Sequence, residues 1–216
     1  REEWKGSVET NKILKSNGLK IIKDTANIQA RLGGVHANIG CGSYLIRGFI
    51  NVDYFSERYY GDGKFNRIHY DMRSDILPFD DNSYDVVTVL DVLEHLNSPH
   101  SSFNESLRVA RKTVYVSLPN MYYIEFRMRF LRGNGISGKY KFSPTPILDR
   151  HRWILSYSEA IEFIKKNTTG CNVNIIPIVP GYRRYKFFAN PIHKLLAKKW
   201  PNMFAYGVLF EINLDR

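Results

Sequence analysis

The sequence predicts an α/β fold built on a mostly parallel sheet, and three observations carry that expectation. "YDVVTVL" (84–90) is a β-branched run without alternation, as a parallel strand buried on both faces requires. Strand-like segments alternate with loops or helical patterns from residue 35 to residue 118. Polar clusters follow directly on predicted strands, at residues 40–43, Asp53, Asp71, residues 91–95 and Asn120. In parallel sheets, ligands bind at the carboxyl ends of the strands.

The elements follow in order. "VHANI" (35–39), "GFINV" (48–52) and "RIHY" (67–70) read as strands ahead of the strongest one at 84–90. "SPHSSFNESLRVARK" reads as a helix, with Ser98 able to cap, Pro99 at its first position and Arg and Lys in its last turn. "TVYVSL" (113–118) is the next strand, ended by Pro119. "MYYIEFRMRFLRGNG" starts as a helix that stops before Gly133, and a loop rich in Gly, Ser and Pro follows. "SYSEAIEFIKKN" is an amphipathic helix with Ser156 or Ser158 near its start, and "NVNIIPIV" is a strand. "NPIHKLLAKKW" is a short basic helix and "FAYGVLFEINL" (204–214) a last long strand. Residues 1–216 are expected to form a single domain, with 1–32 as an N-terminal extension and 120–156 as a substrate lid.

Composition narrows the class. Apolar content of 44% and charged content of 24% are ordinary for a globular chain, and 14 Tyr with 13 Phe supply a core. Two cysteines, Cys41 and Cys171, form no disulfide framework, so a reduced cytoplasmic compartment is expected. No apolar run approaches the roughly 18 residues of a membrane helix. The net charge of +10 is regional: residues 108–152 hold ten Lys/Arg against Glu125 and Asp149, and residues 181–200 hold six and no acid. A solvated face and an anion-attracting region are both consistent with that distribution.

"HANIGCGSYLIRGFINVDYF" (36–55) holds the parts of a nucleoside site. Glycine is needed where backbone touches ligand, and a carboxylate on the next strand can accept from ribose hydroxyls. Gly40, Gly42 and Asp53 supply these. A dinucleotide fingerprint needs a third glycine and an acid about 20 residues on. Here Tyr44 takes the third position, and Asp53 follows Gly40 by only 13 residues. That leaves no room for a full helix, so a nucleoside without a diphosphate is expected and a nicotinamide-dependent oxidoreductase is disfavoured.

"NIGCG…GFINVD", "YDMRSDILPFDDNSYDVVTVLDVLEHL" and "VYVSLPN" together resemble the class I S-adenosylmethionine-dependent methyltransferases, nearest the small type 11 and MetW-like branches. "SLPN…FLRGNG…DRHRWILSYSEAIEFI" extends the MetW-like pattern, so the likeness spans roughly residues 35–165 and a closing strand at 204–214. Asn38 replaces the usual acid before the glycines, Tyr44 replaces the last glycine, and the following helix is truncated. The resemblance implies a three-layer, Rossmann-like α/β sheet of about seven mostly parallel strands, with an antiparallel strand near the C-terminus. It implies S-adenosylmethionine as cofactor and S-adenosylhomocysteine as product. Gly40, Cys41 and Gly42 would line the methionine and ribose side, and Asp53 would take the ribose hydroxyls, with Tyr54 beside it. Asp71 would accept from the adenine amino group, with Asp75 and Arg73 as competitors for that corner. Met72 would add a backbone N–H and an apolar wall, and Asp91 would stand near the sulfonium.

A hydroxyl acceptor would make a general base useful, and His95 and His151 are the candidates. Equally, His95 could cap the "LEHL" segment, His151 could lie on the surface, and Cys41 could be a small apolar filler. Neither histidine has ligand-like spacing to a partner, so no metal is expected. The acceptor is expected to be a small molecule, a sugar or a lipid-linked group, favoured when anionic by the basic 120–156 and 181–200 regions. The other readings are an RNA-binding or RNA-methylating protein and a catalytically silent methyltransferase fold acting as an interaction module. No RNA-binding motif of the usual types is present.

Overall fold

The computed structural model describes residues 34–42, 45–46, 48–54, 66–71, 76–145, 150–180 and 189–214. The expected N-terminal extension lies outside them. Seven strands form one sheet: β1 (His36–Ile39), β2 (Phe49–Asp53), β3 (Asn66–His69), β4 (Tyr84–Leu90), β5 (Ala110–Pro119), β6 (Asn172–Ile178) and β7 (Gly207–Asn213). Their order is β3-β2-β1-β4-β5-β7-β6. The first five pair in parallel, and β7 runs antiparallel to both β5 and β6. The mostly parallel sheet with an antiparallel strand near the C-terminus is therefore as expected.

Five helices accompany the sheet among the described residues: α1 (Pro99–Val109), α2 (Ile124–Leu131), α3 (Tyr157–Asn167), α4 (Ala189–Lys199) and α5 (Pro201–Phe204). Pro99 opens α1, since its missing N–H is not needed there, but the Ser98 side chain makes no capping bond. Arg111 and Lys112 belong to β5, not to the last turn of α1, which holds Arg108. Ser156 caps α3 in a reciprocal capping box with Glu159. The expected strand at 204–214 starts only at Gly207, because Pro201 initiates α5 first. None of these helices is long and apolar enough to cross a membrane.

One face of the sheet packs Phe103 and Val109 of α1, Tyr157, Ala160 and Ile164 of α3, and Ala197 of α4 against Val87, Val89, Val114 and Val116. The i, i+3, i+7 spacing in α3 explains which stripe is buried. On the other face Ile46, Phe49, Tyr115, Ile178 and Leu209 cluster. Arg108 ties α1 to the preceding loop by donating to Glu105, Asp81 and the carbonyls of Leu77 and Phe79.

Asp85 secures the amino end of β4. Its carboxylate accepts from the Val35 N–H (3.2 Å) and from Arg111 (2.6 and 3.0 Å), and Lys112 Nζ lies 2.9 Å away. Burial pushes this carboxyl up, but those donors outweigh it and bring it down to about 2. A folded-state value below the unfolded 3.8 stabilises the protein above pH 4 and ceases to do so as pH falls toward 2. Asp85→Asn should therefore lower unfolding free energy at pH 7 by about 2 kcal/mol. In urea melts the gap between wild type and variant should close by pH 2; a gap independent of pH would contradict the assignment.

Candidate active site

The strand order turns back on itself between β1 and β4, which opens a crevice at their carboxyl ends. One residue beyond β1, Gly40 donates to the Val52 carbonyl at 2.8 Å and has φ of +66°. A Cβ there would come within 2.6 Å of both γ-carbons of Val92. Gly42 also has positive φ (+51°), but a Cβ on it would meet nothing within 4 Å among the described residues. Gly40 thus packs against protein, while Gly42 has no such neighbour among them. Asp53, closing β2, accepts from the N–H groups of Gly42 and, at 2.6 Å, Tyr54. Cys41 is buried, in keeping with a filler role, and Tyr54 is exposed with its ring against His69.

The shortened loop after β1 is held by a buried amide. Asn51 accepts from the Ile46 N–H (2.8 Å) and the Asn38 amide (3.0 Å), and donates to the carbonyls of Ile46 and Phe49. Asn38 in turn accepts from Thr88 Oγ1 at 2.9 Å. The residue standing where an acid is usual is thus a rung of a polar bridge across three strands. Asp71 is half-buried just beyond β3. Met72, Arg73, Asp75 and Tyr44 lie outside the described residues.

Asp91 follows β4 with φ of +55°, a conformation a non-glycine residue adopts at a cost. Its Oδ1 accepts from Ser117 Oγ at 2.8 Å. Burial pushes its carboxyl up to about 7, against the pull of Ser117 and the Lys139 ammonium. Glu94, in the short 3-10 turn Leu93–His95, is 1% exposed, and neither carboxylate oxygen accepts a hydrogen bond. Burial first, and then the nearby Asp91, hold it well above the ordinary carboxylate range.

Residues 150–155 run alongside this turn. Arg152 N–H donates to Glu94 O (2.8 Å), Arg152 Nε to His95 O (3.0 Å), and Trp153 Nε1 to Leu96 O (2.7 Å). His95 Nδ1 lies 3.1 Å from Arg150 O, which must accept, so Nδ1 carries the proton and Nε2 the lone pair. The His151 ring meets that of His95 edge-on at 4.5 Å, and Tyr140 packs on its other side at 5.3 Å. Burial, joined by the Lys139 ammonium, lowers His95 to about 4; burial with His95 and Lys139 lowers His151 to about 3. Both rings are neutral at pH 7. His151 is therefore buried and not a surface residue, and His95 faces the site and does not merely end the turn.

The fold brings together Gly40, Gly42, Asp53 and Asp91 around one crevice, with His95 and His151 beyond Asp91. Asn120 has another task. Wholly buried, it donates to the carbonyls of Asn202 and Ala205 and accepts from the Tyr122 N–H, joining β5 to α5. Sequence reasoning missed Glu94, Lys139 and Ser117. Only Glu94 had a signal: a carboxylate between leucines in "LEHL" is bound for burial.

A family model described as a methyltransferase domain matches residues 49–118. That segment is similar to a methyltransferase domain. Solved structures agree on the fold. A SAM-dependent methyltransferase from Archaeoglobus fulgidus superposes with TM-score 0.57 at 14% identity, covering 98% of this chain and 95% of that one. Magnesium protoporphyrin IX methyltransferase from Synechocystis, solved with bound SAH, gives 0.52 at 14% identity, covering 97% and 85%. The complex between the Haloferax volcanii Trm112 methyltransferase activator and a methyltransferase gives 0.50 at 18% identity, covering 99% and 98%. No curated protein sequence matches significantly.

The two glycines should respond differently to a methyl group. Both pay about 1 kcal/mol for alanine at positive φ. Gly40→Ala must also displace the stiff Val92 side chain, and should destabilise by about 3 kcal/mol in total. Thermal melts should show the larger loss for Gly40→Ala, and Val92→Ala should recover part of it; equal losses would mean that Val92 does not press on the loop.

Proposed function

We propose that the domain transfers the methyl group of S-adenosylmethionine to an oxygen of a small-molecule, sugar or lipid-linked acceptor that carries an anionic group. The observation that carries the cofactor half is the pairing of the Gly42 N–H with the Asp53 carboxylate beside space that a Cβ would occupy freely. Such a cradle suits a ribose: Asp53 would accept from its hydroxyls, and the Gly40–Cys41–Gly42 backbone would lie against it without a Cβ in the way. Asp71 and Met72 would serve the adenine, and Tyr54 the rim. S-adenosylmethionine supplies an activated methyl group on a sulfonium.

What remains for the chain is orientation. Asp91 is held at the methyl end by Ser117, with a carboxyl that is only partly ionised near neutrality. A modest negative charge holds a cation without favouring the ground state over a less charged transition state. His95 and His151 are neutral at pH 7 and so are able to take an acceptor proton, and His95 is already turned with its Nε2 lone pair inward. The anionic preference of the acceptor rests on Lys139, whose half-buried ammonium sits among these groups, and on the basic surface of residues 120–156.

Calorimetric titration with S-adenosylhomocysteine tests the cofactor half. Wild-type protein should bind it and not NADH, and Asp53→Ala should weaken binding at least about tenfold through loss of charge-assisted bonds. Unchanged affinity in Asp53→Ala would remove the ribose assignment. For the acceptor half, His95→Ala and His151→Ala should each lower kcat by about 100-fold on the acceptor found by screening anionic and neutral alcohols. A screen in which neutral alcohols outperform every anionic one would refute the charge preference.

A further inference from the structure

Glu94, His95 and His151 form a cluster that proton transfer alone does not account for. One ligand atom from each lies within 4.8 Å of the others. Glu94 Oε1 is 3.9 Å from His95 Nε2 and also 3.9 Å from His151 Nε2. These separations are too long for hydrogen bonds. They are slightly longer than the roughly 3 to 3.4 Å between neighbouring ligand atoms around an ion with bonds of about 2.1 Å. Glu94 is 1% exposed, and neither of its oxygens accepts a hydrogen bond among the described residues. His151 is likewise buried, and its Nδ1 has no hydrogen-bond partner. His95 is locked by Arg150 O in the tautomer that turns an Nε2 lone pair toward the Glu94 carboxylate. The Glu94 oxygen and the two imidazole Nε2 atoms, too far apart for hydrogen bonds, can be joined through a cation.

We propose that Glu94, His95 and His151 bind a divalent transition-metal ion, zinc or a first-row neighbour, with coordination positions left open toward the methyl end of the crevice. Two imidazoles and one carboxylate suit such an ion and do not suit magnesium or calcium, which prefer oxygen. The backbone of the surrounding loop already supplies the outer support that metal sites need. His95 donates its second ring N–H to a carbonyl, as ligating histidines do, and Arg152 and Trp153 fix the turn that carries Glu94 and His95. The Lys139 ammonium also lies within electrostatic reach of Glu94, but it donates no hydrogen bond to either carboxylate oxygen. The role of the ion, though not the site, rests on the methyl-transfer reading: an acceptor hydroxyl on an open position would become more acidic, which does the work of a general base.

The test is metal binding by the full chain, with the metal alone as probe. EDTA-stripped protein is titrated with Co²⁺ by visible absorption and with Zn²⁺ by calorimetry, and S-adenosylhomocysteine is titrated in parallel. Wild type should take up one ion per chain with visible bands of nitrogen and oxygen ligation. Glu94→Gln and His151→Asn, which keep shape, should each weaken uptake at least about tenfold while S-adenosylhomocysteine affinity stays unchanged. No saturable uptake by wild type, or uptake undiminished in both variants, overturns the site. If metal binds and S-adenosylhomocysteine does not, the site stands and the methyl-transfer reading fails; the reverse result sinks the site alone.

Discussion

A rung of buried polar side chains sets the geometry of everything at the top of the sheet. Thr88, Asn38 and Asn51 occupy matched register positions on β4, β1 and β2, and hydrogen bonds join them in that order. Because strand side chains alternate with period two, a slip of one residue would bury these groups against valines with no partner. Register is thereby fixed from within the core. Counting up two residues from the rung gives Gly40, Asp53 and Leu90 at one level, with Asp91 just above. Gly40, packed against Val92, and the acid one strand over are level because the rung is. The same Asn51 amide holds the Ile46 backbone, so the loop from β1 returns to β2 without a full helix to support it.

The acceptor end is made differently. No strand carries His151. It arrives because residues 150–155 hydrogen-bond to the turn after β4 instead of to one another, and because Met121 N–H donates to the Leu155 carbonyl at the far end of the stretch. The segment from Asn120 to Ser156 is thus clamped at both ends: by Asn120 in the carbonyls of residues 202 and 205, and by the Ser156 capping box. Between those clamps, Phe130, Leu131 and Phe142 are largely exposed. An aromatic, basic excursion anchored at both ends can vary in sequence while the sheet it leaves stays unchanged.

This division explains what could be read in advance. The parallel sheet was legible because β4 is a β-branched run without polar alternation, and strand ends could be found by where apolar runs meet polar residues. That Gly40, Gly42, Asp53 and Asp91 stand at strand ends could be read for the same reason, since each lies within three residues of a strand end. The 3-10 turn at Leu93–His95 and the loop at 150–155 have no periodicity to read, so the meeting of Glu94 with two histidines was invisible and no metal was expected. Asn120 shows the opposite error. Its position after a strand placed it among ligand-facing residues, whereas its side chain bonds four backbone groups, the carbonyls of Pro201, Asn202 and Ala205 and the N–H of Tyr122. Position after a strand locates a crevice but does not decide which side chains face it.

Charge then decides how the two halves work together. Asp91 and Glu94 sit in one buried pocket, and two full negative charges there would be prohibitive without compensation. Lys139 supplies some, although burial lowers its own proton affinity, and burial with the Lys139 ammonium keeps both histidines neutral. The pocket therefore approaches neutrality by protonation, by a lysine or by a bound cation. A methyl-transfer site needs that poise, because the charge it holds at the start of the reaction disappears as the methyl group leaves. Carboxylates whose ionisation follows the charge of what is bound beside them supply negative potential when a cation is present and relinquish it when the cation is spent. The same property lets Glu94 give up a proton to a metal ion without leaving a bare anion in the core. A pocket of permanently ionised acids could do neither, so its burial is as necessary to the chemistry as the identity of its residues.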